Sequence, residues 1–258
     1  MRKIIILACL LGIISFSTQA QNDRNNTINK ALEKGWTIEV KAGLSSGGFS
    51  PIPLPREIRS IRSYSPGFNA LLECQITKWI GSKAKWGISS GLIIENKGME
   101  TKARVKSYHT EIINGKDKVS GFWTGNVKTN IDATYITIPL KANYKLTDRF
   151  KISFGPYFSY LLDGTFDGEV SNGYLRVKNP TGQKLSFENG KSAKYDFSND
   201  MREFMYGALL GCSWQSFKHL SVFSQLSWGY QSIFPNDFKT ISFKMYPIYL
   251  AFGLSYNF

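Results

Sequence analysis

The sequence predicts an all-β fold: an antiparallel, up-and-down transmembrane β-barrel of about eight strands, with long loops on one side of the membrane and short turns on the other. Three observations predict it. An export leader is followed by no apolar run of membrane-helix length, apolar residues recur at every second position in segment after segment, and the connections alternate between short and long.

Arg2 and Lys3 precede an apolar run from Ile4 to Phe16, and Thr18-Gln19-Ala20 supplies a small-x-Ala cleavage site. Residues 1–20 are therefore expected to be a signal peptide, with the mature chain starting at Gln21. The run is shorter than the roughly 20 apolar residues a spanning helix needs, which disfavours a single-pass anchor. Cys9 lies inside the run, where cleavage would split the signal, so lipidation is not expected. Residues 21–34 are polar and Asn-rich and read as a periplasmic lead-in. Residues 35–258 then form one barrel domain.

Strand one falls near Trp36 to Gly43, with Trp36, Ile38, Val40 and Ala42 opposed to Thr37, Glu39 and Lys41. Strand two, near Phe68 to Ile80, sets Leu72, Cys74 and Ile76 against Glu73, Gln75 and Thr77. Strand three, near Trp86 to Lys97, sets Ile88, Leu92 and Ile94 against Gly87, Ser89, Gly91 and Glu95. Strand four, near Ile131 to Leu146, sets Ile136, Ile138, Leu140, Ala142 and Tyr144 against Thr137, Lys141, Asn143 and Lys145. Strand five, near Phe150 to Leu162, directs Ile152, Phe154, Phe158 and Tyr160 outward. Strand six, near Glu203 to Phe217, offers Phe204, Tyr206, Ala208, Leu210 and Trp214. Strand seven, near Leu220 to Gln231, sets Leu220, Val222, Leu226 and Trp228 against Ser221, Gln225 and Ser227. The last strand is the clearest: Ile248, Leu250, Phe252, Leu254, Tyr256 and Phe258 alternate with Tyr249, Ala251, Gly253, Ser255 and Asn257. Side chains alternate between strand faces, so each strand has an apolar side for lipid and a small or polar side for a lumen.

Short turns fall at Gly81 to Lys85, Thr147 to Arg149, and Lys218 with His219. Long connections fall at Leu44 to Ser63, Gly98 to Asn130, Asp163 to Arg202 and Ser232 to Met245. With the start of the mature chain in the periplasm, all four long loops land outside and both ends lie inside, as an even strand count requires. Pro139, Pro156 and Pro247 interrupt predicted strands, where each removes a ladder donor; bulges or membrane-boundary positions are the expected accommodations.

The chain carries 32 Lys plus Arg against 19 Asp plus Glu, and removing Arg2 and Lys3 leaves a net charge of +11. An exported chain meets the phosphates of outer-membrane lipid rather than nucleic acid, so the lipid is the expected anionic neighbour. Cys74 and Cys212 fall on lipid-facing positions. They read as two isolated small hydrophobes, with pairing in an oxidising periplasm as the alternative.

Phe258 closes an alternating strand with Phe252 and Tyr256, the pattern by which outer-membrane barrels are handed to the barrel assembly machinery. Tyr135-Ile136-Thr137-Ile138-Pro139-Leu140 and Gly155-Pro156-Tyr157-Phe158-Ser159-Tyr160-Leu161-Leu162, joined by the short turn at Thr147 to Arg149, complete the pattern. On these residues the chain resembles the PorT-like outer-membrane β-barrel family of Bacteroidetes. It departs from that family at Asp200-Met201-Arg202-Glu203, where an Asp-x-Gly is usual. The resemblance implies a barrel and carries no assigned role.

For chemistry the sequence offers little. His109, in a long loop beside Thr110 and Glu111, and His219, in a short turn, fall at opposite ends of the barrel and cannot form one site. No metal cluster, phosphate-binding glycine loop or cofactor fingerprint is present, so no cofactor is expected. The lumen is more informative: Glu39, Lys41, Glu73, Gln75, Glu95, Lys141, Lys145 and Gln225 are predicted inward. A barrel of eight strands is just wide enough for side chains to fill, so charges of both signs should pair and close it. In the first long loop, Pro51, Pro53 and Pro55 are followed by Arg56, Arg59 and Arg62, which could grip lipid phosphate or an acidic partner, or form a solvated rim. The third long loop carries Phe166, Tyr174, Phe187 and Tyr195, suited to a hairpin above the membrane or to a partner surface. The expected function is an integral outer-membrane barrel without enzymatic activity, structural or partner-binding and accessory to a secretion or uptake complex. A narrow channel is the alternative, and a lipid hydrolase a remoter one.

Overall fold

The computed structural model describes residues 33–81, 85–114 and 117–258; the expected signal peptide, residues 21–32 of the lead-in and residues 82–84 of the first short turn lie outside the described residues. Ten antiparallel strands form one sheet: β1 (Trp36–Pro51), β2 (Ile58–Ser65), β3 (Asn69–Ile80), β4 (Trp86–Asn114), β5 (Asp117–Lys145), β6 (Phe150–Val177), β7 (Lys184–Asp196), β8 (Phe204–Gln215), β9 (Leu220–Gly229) and β10 (Met245–Asn257). Eight of them close a ring in the order β1, β3, β4, β5, β6, β8, β9, β10 and back to β1.

Following opposed residues around this ring from Ser46 leads through Leu250, Leu226, Leu210, Phe154, Ala142, Ile88 and Lys78 back to β1 at Trp36, a stagger of ten residues. With a rise near 3.3 Å and strands near 4.8 Å apart, that stagger tilts the strands by about 40°. Ile138, Leu140, Phe154, Phe158, Leu210 and Leu254 stand outward and exposed, a belt whose solvent is hydrocarbon. Trp36, Trp86 and Trp214 ring its periplasmic edge, and Tyr160, Tyr206 and Tyr230 its outer edge.

The expected loops at 98–130 and 163–202 are corrected by the structure. β4 and β5 stay paired from Met99 and Ile131 to Asn114 and Asp117, and β6 continues outward to pair with β7. At about 3.3 Å per residue the β4–β5 hairpin adds roughly 50 Å of strand beyond the belt. The alternation persists there but exchanges faces. Below, the outward residues are apolar. Above, Met99, Val105, Val127 and Ile131 are buried, while Lys102, Arg104 and Lys106 are exposed. Water, not lipid, surrounds this part, so the apolar face turns inward and builds a core that includes Ile112, Trp123, Phe166, Val170, Leu175 and Phe197.

Two of the three prolines, Pro139 and Pro156, also differ from expectation. The β5–β6 register is unchanged from Pro139↔Tyr157 to Ala142↔Phe154, and the β4–β5 register from Ser90↔Leu140 to Ile93↔Thr137, so neither strand gains a residue. Pro139 and Pro156 instead occupy rungs where the ladder is skipped, inside the belt. Pro247 lies just past the last β9–β10 pair. Gly155 lets the backbones meet here: a Cβ on it would stand 1.9 Å from the Leu140 carbonyl oxygen. Cys74 and Cys212 are free and exposed, on β3 and β8 with three strands between them either way round, far beyond disulfide reach.

Candidate functional site: the lumen and its outer cap

Inward positions of eight tilted strands converge on a narrow axis, so the charged residues at those positions must pair or be stranded without water. They pair in two layers. In the lower layer Glu73 accepts from Lys41 at 3.4 Å and from Lys141. Lys41 also donates to the Gln75 side-chain oxygen at 3.1 Å, Gln75 to Thr77 at 3.0 Å, and Lys141 to Gln225 at 3.5 Å. Just below, Lys151 donates to Glu39 at 2.6 Å.

In the upper layer Lys97 donates to Glu95 at 2.8 Å, and the Thr137 hydroxyl donates to the same carboxylate at 3.1 Å while meeting Ser159 at 2.7 Å. The Lys97 ammonium lies 5.4 Å from the ring centre of Tyr157, 5.6 Å from Tyr135 and 5.8 Å from Tyr249, within cation–π range of all three. Tyr135 and Tyr249 belong at the same time to the apolar core above. Phe49 packs edge-on to Tyr249 with centroids 5.8 Å apart, Phe166 to Phe234 at 4.8 Å, and Phe234 stacks on Phe238 at 4.3 Å. The polar lumen therefore ends beneath an apolar lid.

In that extracellular part, burial pushes the Tyr108 and Tyr195 hydroxyls up from the usual phenol range, so both stay neutral. Tyr195 donates to the Lys128 carbonyl at 2.8 Å. Hydrogen bonds from the Ser198 side chain and backbone hold the Asp196 carboxyl below its ordinary value.

Of the residues expected in the lumen, the structure joins Glu39, Lys41, Glu73, Gln75, Lys141 and Gln225 in the lower layer and its rim, and sets Glu95 in the upper one. Lys145 is not part of either. It is half-buried at the periplasmic mouth with its ammonium 4.0 Å from the ring centre of Trp79. Lys97, Lys151 and the three tyrosines were not singled out from sequence, although all lie in the inward phase of their strands. Arg56, Arg59 and Arg62 are exposed at and beside β2. Phe252 and Tyr256 face outward. Phe258 closes the ring, its backbone N–H donating to the Ile38 carbonyl at 3.0 Å and its ring edge-on to Tyr256 at 4.9 Å.

The His109 ring nitrogen meets the Thr240 carbonyl at 3.0 Å, and Glu111 pairs with Lys118 at 3.3 Å. His219 meets the Asn257 carbonyl at 2.9 Å and stacks on Tyr256. Among the described residues no group of three His, Cys, Asp or Glu side chains is placed to hold a metal ion.

Among solved structures, the fold is similar to the attachment invasion locus protein Ail of Yersinia pestis, with 8% identity, 86% of this chain and 97% of that one covered, and a TM-score of 0.34. It is also similar to CarO2 of Acinetobacter baumannii, at 13% identity, 86% and 99% coverage and a TM-score of 0.36. OprG of Pseudomonas aeruginosa is similar at 11% identity, with 87% and 97% coverage and a TM-score of 0.30. Comparison with curated proteins gives no match. A family model described as "Outer membrane protein beta-barrel domain" matches residues 19–235, most of the sequence, and the chain belongs to that outer-membrane β-barrel family.

Proposed function

We propose that this outer-membrane barrel is a closed, non-enzymatic platform that acts by structure or by binding a partner, accessory to a secretion or uptake complex. The observation that carries this reading is Glu73, fully buried and held by both Lys41 and Lys141 across the lumen, beneath the Lys97 layer and the apolar lid. A solute crossing it would have to separate buried ion pairs, each costly to break, and then pass a dry aromatic core. The non-catalytic reading is supported by Glu111, the acid beside His109, which pairs with Lys118 at 3.3 Å.

The platform reading rests on the β4–β5 hairpin and on β6 with β7, which rise beyond the belt. Export with removal of residues 1–20, and recognition of Phe252, Tyr256 and Phe258 by the barrel assembly machinery, are parts of the same proposal, as is assignment to the PorT-like subgroup. The last is supported by the two sequence motifs being ladder neighbours, from Tyr135↔Leu161 to Pro139↔Tyr157.

Purified protein reconstituted in planar bilayers tests the central point: no discrete conductance steps are expected. Reproducible steps altered by Glu73→Gln or Lys141→Met would establish the narrow channel instead. Crosslinking on intact cells from the tip of the β4–β5 hairpin then identifies the partner.

A further inference from the structure

Above the belt the barrel wall has one seam. β1 pairs with β3 only as far as Ser45↔Asn69, and from Ser46 to Pro51 it pairs with β10 alone. β2 continues the path of β3 along β4 but shares no ladder with β1. The two free edges face one another, bridged by the Tyr64 hydroxyl, which donates to the Gly47 carbonyl. Where β3 breaks from β2, the Asn69 side chain takes over the ladder, donating to the Gly98 carbonyl at 3.1 Å and accepting from its N–H at 2.6 Å.

Behind this seam lies a cavity of about 330 Å³, within the size range of small-molecule sites. Phe49, Met99, Val105, Val127, Phe166 and Met245 form much of its wall. Ile58, Ile61 and Tyr64 close it on the β2 side. Ile61 is 57% exposed and Tyr64 47%, so the cavity opens to the surface there.

The sequence of β2 explains how it does so. In Ile58-Arg59-Ser60-Ile61-Arg62-Ser63-Tyr64 the apolar residues recur every third position, which a regular strand would scatter over both faces. Register shifts between Ile58 and Ser60 and between Ile61 and Ser63 insert Arg59 and Arg62 as extra residues. The bulges bring the three apolar side chains to one face and re-aim the two arginines to the outside. Both arginines are exposed, as are Arg56, Arg104 and Lys106. None of these five has a carboxylate within ion-pair distance among the described residues.

The seam also has a defined depth. On β1 the outward apolar series ends at Leu44, opposite Ala70, and is followed outward by Ser46 and Gly48; just before the neighbouring β3, Phe68 is 80% exposed. The mouth therefore stands at the outer edge of the belt, where hydrocarbon gives way to head groups.

From the bulged strand, the open seam and the unpaired cations around an apolar cavity, we infer that this site binds an anionic single-chain amphiphile, its hydrocarbon chain in the cavity and its carboxylate or phosphate against Arg59 and Arg62. Arginine suits such a head because its planar donors match two oxygens at once. This site uses none of the lumen residues and stands whether or not the lumen conducts. With the lid of the lumen beneath it, the cavity is a place for the chain to lodge.

The test is photolabelling of the whole protein in phosphatidylcholine nanodiscs, with labelled peptides mapped by mass spectrometry. One arm adds a fatty acid with a chain-end diazirine from water; the other builds a lysophosphatidic acid carrying the same diazirine into the disc, which separates a free amphiphile from a single-chain membrane lipid. In at least one arm, label is expected on Met99 to Val105 or on Phe166, falling about tenfold in Ala103→Phe, which fills the cavity. The exposed double variant Arg59→Gln/Arg62→Gln, which leaves the packing intact, should bring labelling down to that of a neutral fatty alcohol probe of the same length. Label confined to belt residues such as Ile138 and Phe158 in both arms would overturn the proposal. So would cavity labelling by the neutral probe equal to that by the anionic ones in the unaltered protein.

Discussion

Lys97 donates to Glu95 over 2.8 Å from two residues further along the same inward face of β4, both side chains buried at the level where the polar lumen meets the apolar lid. The Glu95 carboxylate takes a second bond from Thr137, and Lys97 is enclosed by three tyrosine rings. Removing one partner strands the other in a site without water. Lys97→Ala is expected to lower stability by about 3–5 kcal/mol. The joint change Glu95→Leu/Lys97→Met should stay near the unaltered protein, because no charge is left behind. Urea unfolding in lipid vesicles measures both, and equal losses in the two variants would show that the pair is not held as described.

Gly155 makes a sharper demand. A Cβ there meets the Leu140 carbonyl oxygen at 1.9 Å, in the middle of the belt, where displaced backbone cannot turn to water. Gly155→Val should abolish the folded species seen as a heat-dependent shift in gel mobility. Gly67→Ala, whose new atom has no neighbour closer than 3.8 Å, should fold normally.

Cys74 and Cys212 are exposed on opposite sides of the ring, in the apolar outward series. In reconstituted vesicles a membrane-soluble maleimide should label both and a charged one neither. Oxidant should yield no internal disulfide. Ready labelling by the charged reagent would place these faces in water.

Asn69 carries the ladder across the break between β2 and β3 with two bonds to Gly98. Asn69→Ala should cost about 1–3 kcal/mol, since it leaves buried backbone groups without partners. It should also speed hydrogen exchange at the Gly98 amide ahead of its neighbours. Unchanged protection would mean that the side chain is not what holds the seam.

The ring was legible because lipid-facing strands announce themselves: Ile136, Ile138 and Leu140 alternate with Thr137 and Lys141, and the structure has Ile138 and Leu140 exposed, Ile136 half-buried, and Thr137 and Lys141 buried. The extension reads as loop in the sequence because its polarity is reversed. Its outward Lys102, Arg104 and Lys106 look like solvated loop, although Met99, Ala103 and Val105 between them keep the two-residue period. β2 escaped notice for another reason, since its apolar residues repeat every third position and only the bulges bring them to one face. In the lumen, inward phase alone found Glu73, Lys141 and Gln225. It set Lys145 among them as well, because alternation fixes the face of a side chain and not its depth. Lys97 reads as a strand end, because the reversed polarity beyond it hides the continuation of β4 to Asn114.

The central claim is that each long strand lies in lipid below and in water above, with its apolar face changing sides at the boundary. Spin labels placed one at a time on outward positions of β5, from Tyr144 to Ser120, test it directly in reconstituted bilayers. At Ala142, Leu140 and Ile138, relaxation should respond to oxygen and not to a water-soluble nickel complex; from Asp132 to Ser120 the preference should reverse. Oxygen dominance continuing through Asn126 to Ser120, or nickel access at Leu140, would contradict the account.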